Sequence, residues 1–280
     1  MLQLNEVEKR FRKKEVLKKI SLNLEDGVYG LLGPNGSGKT TMMRCILNIY
    51  KLSGGSILYS GKSVGADDSF LKDVGYLPQK FGLFRELSVR EMMEYLAALK
   101  KLPRDQIPGE VERCVELVNL TDRLDKKVRT LSGGMIRRLG IAQALLGDPK
   151  VLIVDEPTAG LDPEERMRFK TIISQIKKDK IIIISTHIVD DVEALCDHIV
   201  VLDKGSVAFS GKSEQLKQLS DGKVFEIPES QLPSFSGVYV SRRYERDGQV
   251  FLCVLGDGIP GATPLPPDLE SSYLCVLKNI

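Results

Sequence analysis

The sequence predicts an α/β protein built on an open parallel sheet, and three observations carry that expectation. Val28, Tyr29, Gly30, Leu31 and Leu32 form a short apolar run that leads into Gly33-Pro34-Asn35-Gly36-Ser37-Gly38-Lys39-Thr40 and then into the helical pattern of residues 41–47. Two more continuous apolar runs, residues 151–154 and 181–185, read as strands buried on both faces. Both end on residues that can do chemistry, Asp155-Glu156 and Thr186-His187, and open parallel sheets bind ligands at the carboxyl ends of their strands.

The loop at 33–40 has Gly, Gly, Lys and Thr at the spacing of a nucleotide phosphate loop. Gly33, Gly36 and Gly38 permit the backbone turns that point successive N–H groups inward around a triphosphate. Lys39 would reach the β- and γ-phosphates and the Thr40 hydroxyl would ligate Mg²⁺, while the helix opening at Thr41 turns its N-terminus toward the phosphates. A chance Gly-rich surface turn would not need a buried strand before it and a helix behind it.

Composition bounds the rest. At 280 residues and 42% hydrophobic content the chain can hold one large domain, or one domain and a small appendage. The net charge of +2, from 40 basic and 38 acidic residues, points to neither nucleic acid nor an anionic membrane surface. No apolar run approaches the roughly 18 residues that span a bilayer, and the first six residues lack the form of a signal peptide, so a soluble cytosolic chain is expected. Cys45, Cys114, Cys196, Cys253 and Cys275 are scattered, without a C-x-x-C pair, which fits reduced packing thiols rather than disulfides or zinc ligands.

Taken in order, residues 2–7 and 20–24 alternate as half-buried strands, with a basic turn, Lys9-Arg10-Phe11-Arg12-Lys13-Lys14, between them. Phe11, an aromatic at a charged site, either stacks on an adenine ring or covers the hairpin. A turn and strand follow at 53–59, then a polar stretch around Asp67 and Asp68, then a short strand at 74–77 that ends at Pro78-Gln79. Gln79 alone fits a hydrogen-bonded loop amide as well as a ligand group. Residues 86–147 are largely helical, with 3.6-type periodicity at 89–99 and 111–118 and with Pro103 and Pro108 as breaks; their Met and Leu stripe is core. Within this segment Leu131-Ser132-Gly133-Gly134-Met135 opens a further helix. Ser132 there is a good N-cap, and the same free N–H groups and hydroxyl make an anion site.

Asp155 and Glu156 at a strand end are costly unless they have work or partners. Asp155 suits the Mg²⁺ shell and Glu156 a base or orienter for an attacking water, the alternative being a pair of capping acids before the next helix. Residues 159–163 make a tight turn into a helix at 166–178. His187 stands at the strand end after 181–185, whereas His198 has no expected role beyond packing or surface. From residue 220 the composition changes: six of the thirteen prolines lie here, with eight acids against five basic residues. Strands at 224–227, 238–241 and 250–255 and a closing helix at 269–277 describe a small α+β appendage without a catalytic or metal constellation, suited to regulation or dimer contacts.

Four separate stretches, 33–40, Gln79, Asp155-Glu156 and His187, thus each follow a short apolar run and would meet in one crevice. Over roughly residues 1–219 these residues resemble the nucleotide-binding subunit of ATP-binding cassette (ABC) transporters. Gln79 matches the Q-loop glutamine, residues 131–135 the signature, Asp155-Glu156 Walker B, Asp162 the D-loop and His187 the switch histidine. Residues 158–163 and the tail ending in Leu269-Glu270-Ser271-Ser272-Tyr273-Leu274 are similar to the ABC-2 type subgroup, which includes bacterial drug, bacteriocin and sodium exporters. Phe11 stands where many members have Tyr, and Met135 where many have Gln.

The resemblance implies a phosphate-loop ATPase core with an antiparallel β subdomain and a helical subdomain at about 86–147, and the accessory domain at 220–280. It implies ATP and Mg²⁺ as cofactors, the nucleotide held by Phe11, by Gly33 to Thr41 and by Ser132, Gly133 and Gly134. Thr40, Gln79 and Asp155 would hold the metal, and Glu156, His187, Gln79 and Lys39 would carry hydrolysis. Two subunits, identical or homologous, would sandwich two ATP molecules head to tail, each Ser132 contacting the γ-phosphate held by the other chain's Lys39. A polytopic membrane subunit on a separate chain, docked on the surface after Gln79 that includes Phe81, Leu83, Phe84 and Arg85, would hold the protein at the inner face of the membrane; ordinary packing is the alternative for those side chains. The competing class is a soluble cassette ATPase. Repair members of that class carry long coiled-coil insertions and translation factors usually two cassettes, and this chain has neither. A regulatory module that holds ATP without turnover is disfavoured by Glu156 and His187.

Overall fold

The computed structural model describes residues 1–234 and 237–280. Strands β1 (Leu2–Phe11) and β2 (Lys14–Leu24) form an antiparallel hairpin, and β3 (Gly27–Leu32) passes from it into a second sheet. The hairpin extends past the alternating stretches: Lys9, Arg10 and Phe11 lie in β1, and the turn is left to Arg12 and Lys13. Register shifts at Leu4/Val7, Val7/Lys9 and Lys9/Arg10 interrupt the period of two, so alternation ends before pairing does. After α1 (Lys39–Ile46), strands β4 (Gly54–Tyr59) and β5 (Lys62–Ser63) complete an antiparallel sheet of order β2-β1-β4-β5.

A five-residue helix that the polar stretch around Asp67 and Asp68 does not signal, α2 (Ser69–Asp73), buries Phe70 and leads into β6 (Val74–Leu77). Helices α3 (Val89–Leu99), α4 (Ile107–Leu117) and α5 (Gly133–Ala144) make the helical region. A capping box starts α3, with the Glu91 N–H donating to Ser88 Oγ at 3.2 Å and the Ser88 N–H to the Glu91 carboxylate at 2.7 Å. Pro108 does not break a helix as the sequence reading expects. It lies in the first turn of α4, where an N–H has no intrahelical acceptor and proline is tolerated.

The second sheet is completed by β7 (Val151–Asp155), α6 (Pro163–Ile176), β8 (Ile181–Thr186), α7 (Val189–Leu195), β9 (His198–Asp203), β10 (Ser206–Gly211) and α8 (Ser213–Gln218). Its order is β10-β9-β3-β8-β7-β6, parallel from β9 to β6 with β10 antiparallel at the edge. Both apolar runs are buried on two faces: Leu152, Val154, Ile182 and Ile184 pack toward the helical region and α6, and Val151, Ile153, Ile181 and Ile183 toward α1 and the antiparallel sheet. α6 starts three residues before the predicted helix because Asp162 caps it, accepting the Glu165 N–H at 2.8 Å.

Strands β11 (Val224–Pro228), β12 (Tyr239–Arg246), β13 (Gln249–Leu255) and β14 (Thr263–Pro264) form a third sheet of order β12-β13-β11-β14, and α9 (Leu269–Lys278) ends the chain. α9 lies between two bodies. Leu269 and Tyr273 share a buried cluster with Leu32, Val192, Ile199, Val201 and Leu216, while Cys275 packs with Val224, Cys253 and Leu255. A buried hydrogen bond of 2.5 Å joins Ser220 Oγ and Ser272 Oγ across the same seam. No helix among the described residues is long and apolar enough to cross a membrane.

Candidate functional site

The carboxyl ends of β3, β6, β7 and β8 lie in adjacent positions in the parallel sheet, and they deliver the four stretches singled out by sequence. β3 runs into the phosphate loop. Gly38, with φ of 114°, forms the N-cap of α1, a conformation that L side chains rarely adopt, and a Cβ there would press on Leu17. No side chain caps α1, so its first amides face the loop, and the buried Ser37 Oγ has no hydrogen-bond partner. Polar groups left this way at a helix N-terminus are a cradle for an anion.

Lys39 is buried at the floor of that cradle, donating to the carbonyl oxygens of Gly33 at 2.6 Å and Pro34 at 3.3 Å. Burial pulls its ammonium below the usual lysine range, and the charges of Glu156 and Asp155 oppose that shift. Glu156 Oε1 lies 3.9 Å from Lys39 Nζ, and its Oε2 is 2.8 Å from His187 Nδ1. Asp155 is buried and accepts from Ser185 Oγ at 2.6 Å, with Thr40 Oγ1 at 3.5 Å from the same oxygen. Glu156 is backbone-strained, with φ of 48°, and its N–H donates to Ser185 O at 3.1 Å and Ser185 Oγ at 3.0 Å.

One cleft of ≈ 340 Å³ is lined by Phe11, Lys14 and Val16 of the hairpin, by Pro34, Asn35, Gly36, Gly38, Lys39, Thr40 and Thr41 of the phosphate loop and α1, and by Gln79 and Glu156. Phe11, partly exposed, is held edge-on by Tyr50 with ring centroids 5.2 Å apart and with Lys9 Nζ 4.8 Å from its ring centroid. Phe11 thus lines the cleft and also packs on Tyr50 at the hairpin. Gln79 lines the cleft, and no side-chain hydrogen bond ties it to Thr40 or Asp155.

Gly133 and Gly134 are not in that cleft. They line a second one with Gln79, Phe81, Arg137, Glu156 and residues 159–162, and Ser132 is spent within its own helix, accepting the Met135 N–H at 3.2 Å. The two clefts share only Gln79 and Glu156.

Two residues of this site carry no role in the sequence reading. Ser185, the polar end of an apolar strand, holds both Asp155 and Glu156. Arg137 donates to five main-chain carbonyls, from Nε to Pro157 at 3.0 Å, from Nη1 to Pro78 at 3.4 Å and Gln79 at 3.2 Å, and from Nη2 to Asp155 at 2.9 Å and Glu156 at 2.7 Å. The only available signal is a cation placed one turn into the helix that opens at Ser132, which is weak by itself.

The Thr40 hydroxyl beside the buried Asp155 carboxylate is a pair of hard oxygen donors of the kind that would suit Mg²⁺. Among the described residues no three His, Cys, Asp or Glu side chains cluster as a metal site of their own. An uncapped phosphate loop, a paired Lys and Thr, and an Asp-Glu-His set on adjacent strand ends define a nucleotide-binding, phosphate-loop ATPase.

Comparison with known proteins narrows the class. Residues 17–159 match the ABC transporter family. The uncharacterized ABC transporter ATP-binding protein YhcH of Bacillus subtilis is 37% identical over 212 residues, covering 74% of this chain and 68% of its own length. The Nod factor export ATP-binding protein I of Ralstonia nicotianae is 32% identical over 286 residues, covering all of this chain and 89% of its own. Among solved structures, the dimeric MJ0796, a bacterial ABC transporter cassette, superposes with a TM-score of 0.68 at 25% identity, over 76% of this chain and 98% of that one. The matched stretches span from 24% to 89% of the relatives' own lengths. The chain belongs to the ABC transporter ATP-binding family; it binds ATP and is an ATPase.

Proposed function

We propose that this chain is the ATP-hydrolysing subunit of an exporter of the ABC-2 type, that it works as a dimer with ATP at the interface, and that it drives a separate polytopic membrane subunit. The observation that carries this reading is the division of the site between two clefts. The phosphate loop lines one cleft and the signature glycines Gly133 and Gly134 line another, with Ser132 next to them as the N-cap of α5, so in this reading a complete ATP site takes the signature of a second copy or a homologue. The dimeric cassette among the structural neighbours supports that assembly, and the Nod factor export protein, which spans this whole chain, supports export.

In this reading ATP lies along the first cleft, its base on Phe11 and its phosphates on the loop amides, the Ser37 hydroxyl and Lys39. Thr40, Asp155 and Gln79 would hold Mg²⁺, which would supply neutralisation of phosphate charge. Glu156 polarises water for in-line attack on the γ-phosphate, and His187 fixes the carboxylate's orientation through the 2.8 Å contact. The N-terminus of α5 from the partner adds its dipole and hydroxyl to the same phosphate. Residues 1–219 serve as the ATPase domain and 220–280 as an accessory domain of regulation or dimer contact, tied to it through α9. Attachment to the membrane subunit places the protein at the inner face of the membrane.

The Glu156→Gln protein tests this. Turnover falls by about 10²- to 10⁴-fold, while ATP binding persists and ATP shifts the protein from monomer to dimer in light scattering. Hydrolysis at the wild-type rate sinks the role of Glu156, and a protein that stays monomeric at saturating ATP sinks the shared site.

A further inference from the structure

Arg137 stands beside the reaction without touching the cleft that receives ATP. A guanidinium offers five N–H donors in a rigid plane, and its usual buried partner is a carboxylate. Here all of its hydrogen bonds go to main-chain carbonyls, and these belong to two segments, Pro78-Gln79 after β6 and Asp155-Glu156-Pro157 at the end of β7. Its flat face lies 5.9 Å from the centroid of Phe81. The second segment is the strained one: Glu156 has φ of 48°, a conformation that a non-glycine residue keeps only when its surroundings hold it. Ser185 holds the N–H side of Glu156, and Arg137 holds the carbonyls before, at and after it. Arg137 also lies one turn beyond the signature on α5, so a shift of that helix moves both segments together.

We propose that Arg137 is a positioning residue for hydrolysis: its guanidinium locks the left-handed backbone at Glu156 and ties it, together with the Gln79 segment, to the helix that carries Ser132. The proposal rests on Glu156 acting on the attacking water. Removing the guanidinium leaves the phosphate loop intact and lets the Glu156 carboxylate drift. Misplacement of a reacting group by about 1 Å costs on the order of 10²-fold in rate.

The test compares the wild type with Arg137→Met, Arg137→Lys, Arg137→Ala and Glu156→Gln in steady-state ATPase assays, nucleotide-affinity titrations and thermal melts. Arg137→Met is expected to lose about 10²-fold in kcat with KM and ATP affinity within about threefold of wild type. Arg137→Lys, whose ammonium reaches some of the same carbonyls, recovers part of kcat, and millimolar guanidinium added to Arg137→Ala does the same. Normal kcat in Arg137→Met overturns the proposal, as do kcat, affinity and melting temperature falling together without recovery in the lysine variant. Should Arg137→Met not fold, Arg137→Gln takes its place and is read in the same way. Wild-type hydrolysis by Glu156→Gln would sink the assignment of Glu156; an inactive Glu156→Gln beside a fully active Arg137→Met would sink this proposal alone.

Discussion

Lys39 concentrates the electrostatics of the site in one side chain. Its ammonium rests on two loop carbonyls, within 3.9 Å of the Glu156 carboxylate, in a place where burial disfavours its charge. A triphosphate brings further negative charge and closer acceptors than the Glu156 carboxylate, so binding offsets the cost of burial as well as adding hydrogen bonds. Loss of a charged hydrogen bond is worth roughly 1.5–3 kcal/mol, which converts to about 10- to 100-fold in affinity. Lys39→Ala is therefore expected to weaken ATP binding by that factor in calorimetric titration and to abolish turnover; unchanged affinity would refute its placement on the phosphates. Sequence alone makes Lys39, Thr40, Asp155 and Glu156 readable because motif spacing and strand ends mark them. Ser185 and Arg137 are not readable in that way, since Ser185 meets the Asp155 carboxylate and the Glu156 N–H, and Arg137 meets main-chain carbonyls, that only the fold brings within reach.

The elements position these side chains through close backbone packing. β6 carries the Gln79 segment, and Gly75 in its middle lies directly against the end of α5: a Cβ there would overlap the carbonyl oxygen of Ala144. Gly140 on α5 likewise leaves room for the ring of Phe81. Overpacking of such a contact costs about 1–3 kcal/mol. Gly75→Ala is expected to lower the melting temperature correspondingly and to reduce turnover more than ATP affinity, because it moves β6 and α5 and leaves β3 and α1 alone. A melt identical to wild type would show that α5 can retreat from β6 freely. The short helices α2 and α7 and the edge strand β10 escape sequence reading because five to seven residues hold too little periodicity to separate a turn of helix from a loop.

At the scale of the whole molecule, the docking surface expected after Gln79 divides in two. Phe81 and Leu83 pack against the helical core, which is the ordinary packing alternative, whereas Phe84 is 58% exposed, edge-on to the 43% exposed Tyr95, with Arg85 beside it. An exposed aromatic pair on the segment that continues from Gln79 suits contact with a helix of a membrane partner. Phe84→Asp combined with Arg85→Glu is expected to abolish transport in cells or vesicles while ATPase activity of the isolated protein stays within about twofold. Transport at the wild-type level would place the partner elsewhere. The accessory sheet enters the same whole through α9, whose Tyr273 and Leu269 cover Leu32, the last residue before the phosphate loop.

The candidate chemistry is legible in short stretches of the chain: glycines where the loop must turn, a lysine and threonine at phosphate spacing, and carboxylates and a histidine after apolar runs of Val, Leu and Ile that read as buried strands. These are local patterns, and local patterns are what side-chain period and turn chemistry encode. It takes the folded chain to bring the four strand ends side by side, to set Gly133 and Gly134 in a different cleft from Lys39, to bring Arg137 onto five carbonyls from two segments, and to pack α9 on the ATPase sheet. Each of these depends on residues distant in sequence meeting through sheet order and helix packing, which no window of the chain contains.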